Sequence, residues 1–141
     1  MLERALKKLQ GLPIPKVVTP GLHAFLDYAT VAGFMIAAGV LWNRNRRAGV
    51  AALANGAFVL GFSLFTDYPG SIEPLISFPR HGQLDIIQAA MAAAAPTVLG
   101  FGDEPEALFF RGQAGNELMV ISITDFYRQN QESRERPRRA A

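Results

Sequence analysis

Cysteine is absent from the 141-residue chain, which removes disulfides, thiolate metal ligands and thiol nucleophiles from its possible chemistry. Histidine is reduced to two residues, and only 18% of the chain is charged, against roughly 25% in ordinary soluble domains. The shortage is local: residues 17–43 contain Asp27 as their sole formal charge, whereas residues 128–141 hold five Arg and two Glu. Glycines are scattered through apolar segments, so no glycine-rich loop follows a strand pattern and no phosphate-binding or dinucleotide motif is present. No nucleophile triad can be assembled either, and no catalytic residue is assigned. A mass of 15.3 kDa rules out a large multidomain enzyme.

What fills the chain instead is apolar sequence. Four segments are tested as membrane spans, given that about 20 helical residues cross a bilayer core of roughly 30 Å. They are Leu22–Trp42, Ala48–Thr66, the Ala-rich Leu84–Phe101, and Ala107–Phe126, which carries Arg111, Gln113, Asn116 and Glu117. Short polar links at 43–47 and 102–106 join them into two antiparallel hairpins, and a proline-containing stretch from Tyr68 to Arg80 lies between, expected at the membrane surface. Leucines 2, 6 and 9 mark residues 1–16 as an amphipathic helix and linker lying on the bilayer. No signal-peptide pattern opens the chain, and the basic tail over 127–141 reads as disordered.

The two hairpins are copies of each other. His23-Ala24-Phe25-Leu26-Asp27 recurs as His81-Gly82-Gln83-Leu84-Asp85, and Thr66-Asp67-Tyr68 as Thr124-Asp125-Phe126, both displaced by 58 positions without a gap. The predicted architecture is therefore all-α: an integral membrane four-helix bundle made of two tandem transmembrane hairpins, 17–68 and 69–126, related by a pseudo-twofold axis along the membrane normal. Small residues four apart, Ala29, Gly33 and Ala37 facing Ala52 and Gly56, suit close helix packing. Most of the fourteen Lys and Arg flank the termini and the inter-hairpin stretch, so the termini are expected in the cytoplasm of a multi-pass inner-membrane protein.

This topology gathers His23, Asp27, Asp67, His81, Asp85 and Asp125 near one membrane face. The bland reading pairs Asp67 with one histidine and Asp125 with the other, as ties between helix ends, and needs no cofactor. Three chemical alternatives use the same residues. His and Asp four apart share a helix face, and two such pairs suit a divalent metal; His and intramembrane carboxylates also relay protons; and His23 with His81 could hold a haem from both sides. Arg111 and Glu117 have no counterpart in the first copy, where Leu53 and Val59 stand, and suggest contact with a partner subunit.

His81-Gly82-Gln83-Leu84-Asp85, followed by Ala95-Pro96-Thr97-Val98-Leu99-Gly100-Phe101, resembles the SPW-repeat family of small bacterial membrane proteins. In that family a two-helix unit, often duplicated, bears a Ser-Pro-Trp motif near the end of its first helix, reduced here to Ala95-Pro96-Thr97. The resemblance implies a multi-pass membrane protein and supplies no catalytic residues. Together these readings give a structural or accessory membrane protein, a small subunit of a larger complex, in contact with lipid and with other subunits or itself and not with nucleic acid. The competing class is a metal-, haem- or proton-handling protein.

Overall fold

The computed structural model describes residues 1–127, which form five helices and no strand: α1 (Leu2–Gln10), α2 (Pro20–Leu41), α3 (Arg46–Leu64), α4 (Phe78–Val98) and α5 (Ala107–Ile123). The rest of the expected basic tail lies outside the described residues. Helix starts are where the sequence supplies caps. Thr19 Oγ1 accepts from Leu22 N at 3.3 Å with Pro20 as the first helical residue, and Asn45 Oδ1 accepts from Ala48 N at 3.2 Å; both occupy donors that a helix leaves free in its first turn.

Two hairpins form, α2 with α3 and α4 with α5, as the short links require. Within the first, helix backbones come close at glycine. A Cβ on Gly56 would lie 3.0 Å from Phe34 Cβ, and one on Gly49 would lie 3.1 Å from Trp42 Cα. Gly33, expected to share this packing, has nothing near its missing side chain. At their far ends the hairpins are tied by Arg47, which donates to Gly100 O at 2.6 Å and pairs with Glu104.

At the opposite end the two copies exchange backbone contacts. Val18 bridges in parallel to Thr124, and Thr66 to Ile76. Val18 N donates to Ile123 O at 3.0 Å, and its counterpart Ile76 N donates to Phe65 O at 2.8 Å. Each lead-in thus pairs with the exit of the other copy, which carries the pseudo-twofold relation into the backbone.

Two expectations change. Helix α1 does not lie apart on a surface: Leu6 is fully buried beside Ala24, Tyr68, Phe78, Ile121 and Phe126, so α1 covers the exchanged end of the bundle. Gln10 Nε2 donates to Ile121 O at 3.0 Å and Lys16 Nζ to Ser122 O at 2.5 Å, occupying carbonyls that α5 leaves free at its C-terminus. The amphipathic leucine stripe is real, but the apolar surface it meets belongs to the protein. Second, α2 and α3 are long and apolar enough to cross a membrane, and α4 and α5 are not. In α4 the polar residues responsible include His81, Asp85 and Gln88, all buried within the bundle; α5 is 17 residues long and contains the buried Glu117.

Candidate metal centre

His23 and His81 each occupy the fourth position of their helix, and Asp27 and Asp85 follow one turn later. The exchanged backbone ends bring α2 and α4 together there, and the four side chains meet in the interior, none more than 5% exposed. One ligand atom from each lies within 4.8 Å of all the others. His23 Nε2 is 3.4 Å from Asp27 Oδ1 and 3.2 Å from Asp85 Oδ2. His81 Nε2 is 3.0 Å from Asp27 Oδ2 and 3.3 Å from Asp85 Oδ1. Each carboxylate therefore straddles both rings, one oxygen to each, and the two Nε2 atoms face each other at 3.2 Å.

The other ring nitrogens fix the tautomer of each neutral ring. Thr66 Oγ1 donates to Phe62 O at 2.7 Å and lies 2.7 Å from His81 Nδ1; Thr124 Oγ1 donates to Val120 O at 2.7 Å and lies 2.9 Å from His23 Nδ1. A hydroxyl has one hydrogen. Each is committed to a carbonyl, so each threonine accepts from its histidine, Nδ1 carries the hydrogen, and the Nε2 of a neutral ring carries a lone pair. Both lone pairs then point at one place, shared with two buried carboxylates.

Four electron-rich groups so arranged repel one another, and burying two carboxylates away from water costs several kcal/mol each unless they are compensated. The compensation within the chain is partial and unequal. Tyr68 OH donates to Asp27 Oδ2 at 2.8 Å; burial, with the adjacent Asp27 carboxylate, pushes the Tyr68 phenol far above its ordinary range, so it stays a donor. Its counterpart is Phe126, which has no hydroxyl, and among the described residues Asp85 Oδ2 has no hydrogen-bond donor. Phe126 packs instead onto Gly82, where a Cβ would lie 2.9 Å from its ring.

A cation satisfies this donor set. Tetrahedral coordination at Zn–N of about 2.0–2.1 Å and Zn–O of about 2.0–2.2 Å places neighbouring ligand atoms about 3.3 Å apart; the nearest imidazole–carboxylate contacts here span 3.0 to 3.4 Å, and one atom from each of the four residues gathers within 4.8 Å, so a bound ion would draw the set closer together. Imidazole with carboxylate suits a borderline divalent transition ion. The Nδ1–H to threonine contacts are the outer-sphere bonds that orient metal-binding histidines.

Of the residues singled out in the sequence, His23, Asp27, His81 and Asp85 come together. Asp67 is exposed and Asp125 half-buried with its Oδ1 accepting from Tyr127 N at 3.2 Å, so neither joins the centre or holds a histidine. The threonines beside them do that. A haem finds no place: the facing Nε2 atoms are too close for a macrocycle, and Phe62, Tyr68, Phe78 and Phe126 pack against the rings. Arg111 is exposed and donates to Gly102 O at 3.0 Å. Glu117 turns inward, 7% exposed, and accepts from Gln113 Nε2 at 3.0 Å.

No protein-family model, curated protein or solved structure matches the chain.

Proposed function

We propose that the protein is a membrane protein whose two hairpins are clamped at one end by a divalent transition-metal ion held by His23, Asp27, His81 and Asp85. The observation that carries this reading is the pair of committed threonine hydroxyls, which leaves both Nε2 lone pairs aimed at one point between two buried carboxylates. All four positions come from the chain, the pattern of structural sites, and two ligands come from each hairpin. Bound there, a cation neutralises both carboxylates and cross-links α2 to α4. The role is structural at its base, which retains the accessory character expected from the sequence and adds a metal to it.

Among the described residues only α2 and α3 are long and apolar enough by themselves to cross a membrane; the reading that α4 and α5 join them there is supported by which side chains face out. Buried positions are dominated by small or polar residues, among them Ala48, Ala51, Ala52, Ala92 and Asn55. Large apolar ones face outward on every long helix: Phe25 and Ile36 on α2, Val50 and Leu53 on α3, Met91 and Val98 on α4, Leu108 and Met119 on α5. Six phenylalanines are buried as well, but an apolar perimeter around an interior rich in small and polar residues is the arrangement lipid favours and water does not. The same four-span architecture is what the SPW-repeat resemblance implies.

The test is metal analysis of protein extracted from the membrane fraction in mild detergent. About one transition-metal ion per chain is expected, lost in both His23→Ala and His81→Ala. A metal-free protein that takes up neither Zn²⁺ nor Co²⁺ on titration would overturn the assignment.

A further inference from the structure

The repeat relates the seam between α3 and α4 to the seam between α2 and α5, yet the two differ. Helices α3 and α4 pack directly, with Gln88 Nε2 donating to Asn55 Oδ1 at 3.4 Å, both residues buried. Between α2 and α5 lies a cleft of about 230 Å³. The counterparts of the buried pair are Thr30 and Gln113, and Gln113 Nε2 reaches Thr30 Oγ1 at 3.3 Å along the cleft wall. Val59, the counterpart of Glu117, is buried in an apolar cluster with Val31 and Phe62, against which Leu84 of α4 packs, whereas Glu117 lines the cleft. The second copy has thus exchanged a buried valine for a carboxylate, and of the two seams only this one carries a polar cleft.

Asp27 belongs to both places, since it lines the cleft and contributes to the His/Asp cluster. Among the described residues, α1 with Leu6, Phe78 and Phe126 covers the end of the bundle, and an apolar groove of about 280 Å³ along the α3/α4 seam, lined by Asn55 and Met91 among others, includes none of the four cluster residues. The cleft is polar along one track, with Thr30, Gln113, exposed Asn116 and Glu117 leading to Asp27. Its volume is many times the roughly 10–15 Å³ that a single water needs. A buried ionisable residue lining a wet cavity inside a helical bundle is the recurrent mark of an ion path.

We propose that this cleft is the route by which a divalent cation and its waters reach and leave the His/Asp centre, with the Glu117 carboxylate as an intermediate ligand on the way to Asp27. The inference rests on the metal-centre reading. A carboxylate at this point replaces part of the hydration shell before the two histidines take over, and Gln113 holds it in place.

The experiment follows Co²⁺ loading, by visible absorption, and its removal by an added chelator, in detergent-solubilised full-length wild type, Glu117→Val and Gly33→Leu. The first variant gives position 117 the residue of the first copy, Val59; the second fills the cleft from a position with open space around its Cβ and no contact with the centre. Both are expected to load and release Co²⁺ at least about tenfold more slowly, with the final stoichiometry and spectrum of the wild type. Unchanged rates in a variant that binds Co²⁺ normally would overturn the route and leave the centre standing. A wild type that binds no Co²⁺ would remove the centre and the route together.

Discussion

Thr66 accepts a hydrogen bond from His81: the hydroxyl gives its own hydrogen to Phe62 O, so the 2.7 Å contact to Nδ1 is made with the ring's proton, and the repeat reproduces this between Thr124 and His23. The chemistry of the centre is therefore set one bond away from it. A threonine at the end of each hairpin decides which nitrogen of the other hairpin's histidine is free to bind.

Thr66→Val and Thr124→Val keep the shape and remove the acceptor. Each is expected to weaken metal affinity about 10- to 100-fold, the usual consequence of losing an outer-sphere partner, and Thr→Ser at either position is expected to retain most of it. Competition titration against a chelator of known affinity reads the difference; valine variants with wild-type affinity would show that the tautomer is fixed by something else.

The unequal partners of the two carboxylates make a matched pair of substitutions. Tyr68→Phe deprives Asp27 of its donor and is expected to destabilise the metal-free protein by about 1–3 kcal/mol, as for a buried acceptor left unpaired. Phe126→Tyr offers Asp85 Oδ2 the donor it lacks and is expected to add about 0.5–1.5 kcal/mol. Thermal unfolding in detergent after metal removal measures both, and shifts of the same sign would contradict the assignment.

Helix α1 supplies a third test. Leu6→Ala removes a fully buried side chain from the end of the bundle and is expected to cost about 2–5 kcal/mol. A leucine resting on lipid would give a much smaller change in detergent-solubilised unfolding, so the value separates a docked helix from a surface one.

The displacement by 58 positions, the two hairpins and the His-x-x-x-Asp pairs are legible in the sequence because helix periodicity puts residues four apart on one face and a gapless repeat transfers that face to the second copy. Thr66 is less conspicuous than Asp67. Beyond the end of α3 Thr66 makes a single bridge to Ile76 and the chain then bends, Tyr68 N donating back to Thr66 O at 2.9 Å; Thr66 and Tyr68 are buried and Asp67 between them is exposed, as Asp125 is less buried than Thr124 and Phe126. A duplicated Thr-Asp-Tyr/Phe triplet marks the region as shared without saying which members point inward, and charge draws attention to the wrong one. The placement of α1 depends on tertiary contacts with α4 and α5 that no local pattern encodes.

A tyrosine beside one carboxylate and a phenylalanine beside its twin could not coexist in a dimer of identical hairpins, where any substitution appears on both sides of the axis at once. Joining the copies in one chain lifts that constraint. Each half can then drift on its own: Val59 packed into an apolar cluster in one copy, Glu117 lining a polar cleft in the other, one aspartate tethered by a phenol and the other without that tether. The covalent link converts an axis of symmetry into a direction, with an apolar flank and a polar one, which is what distinguishes a wall from an entrance.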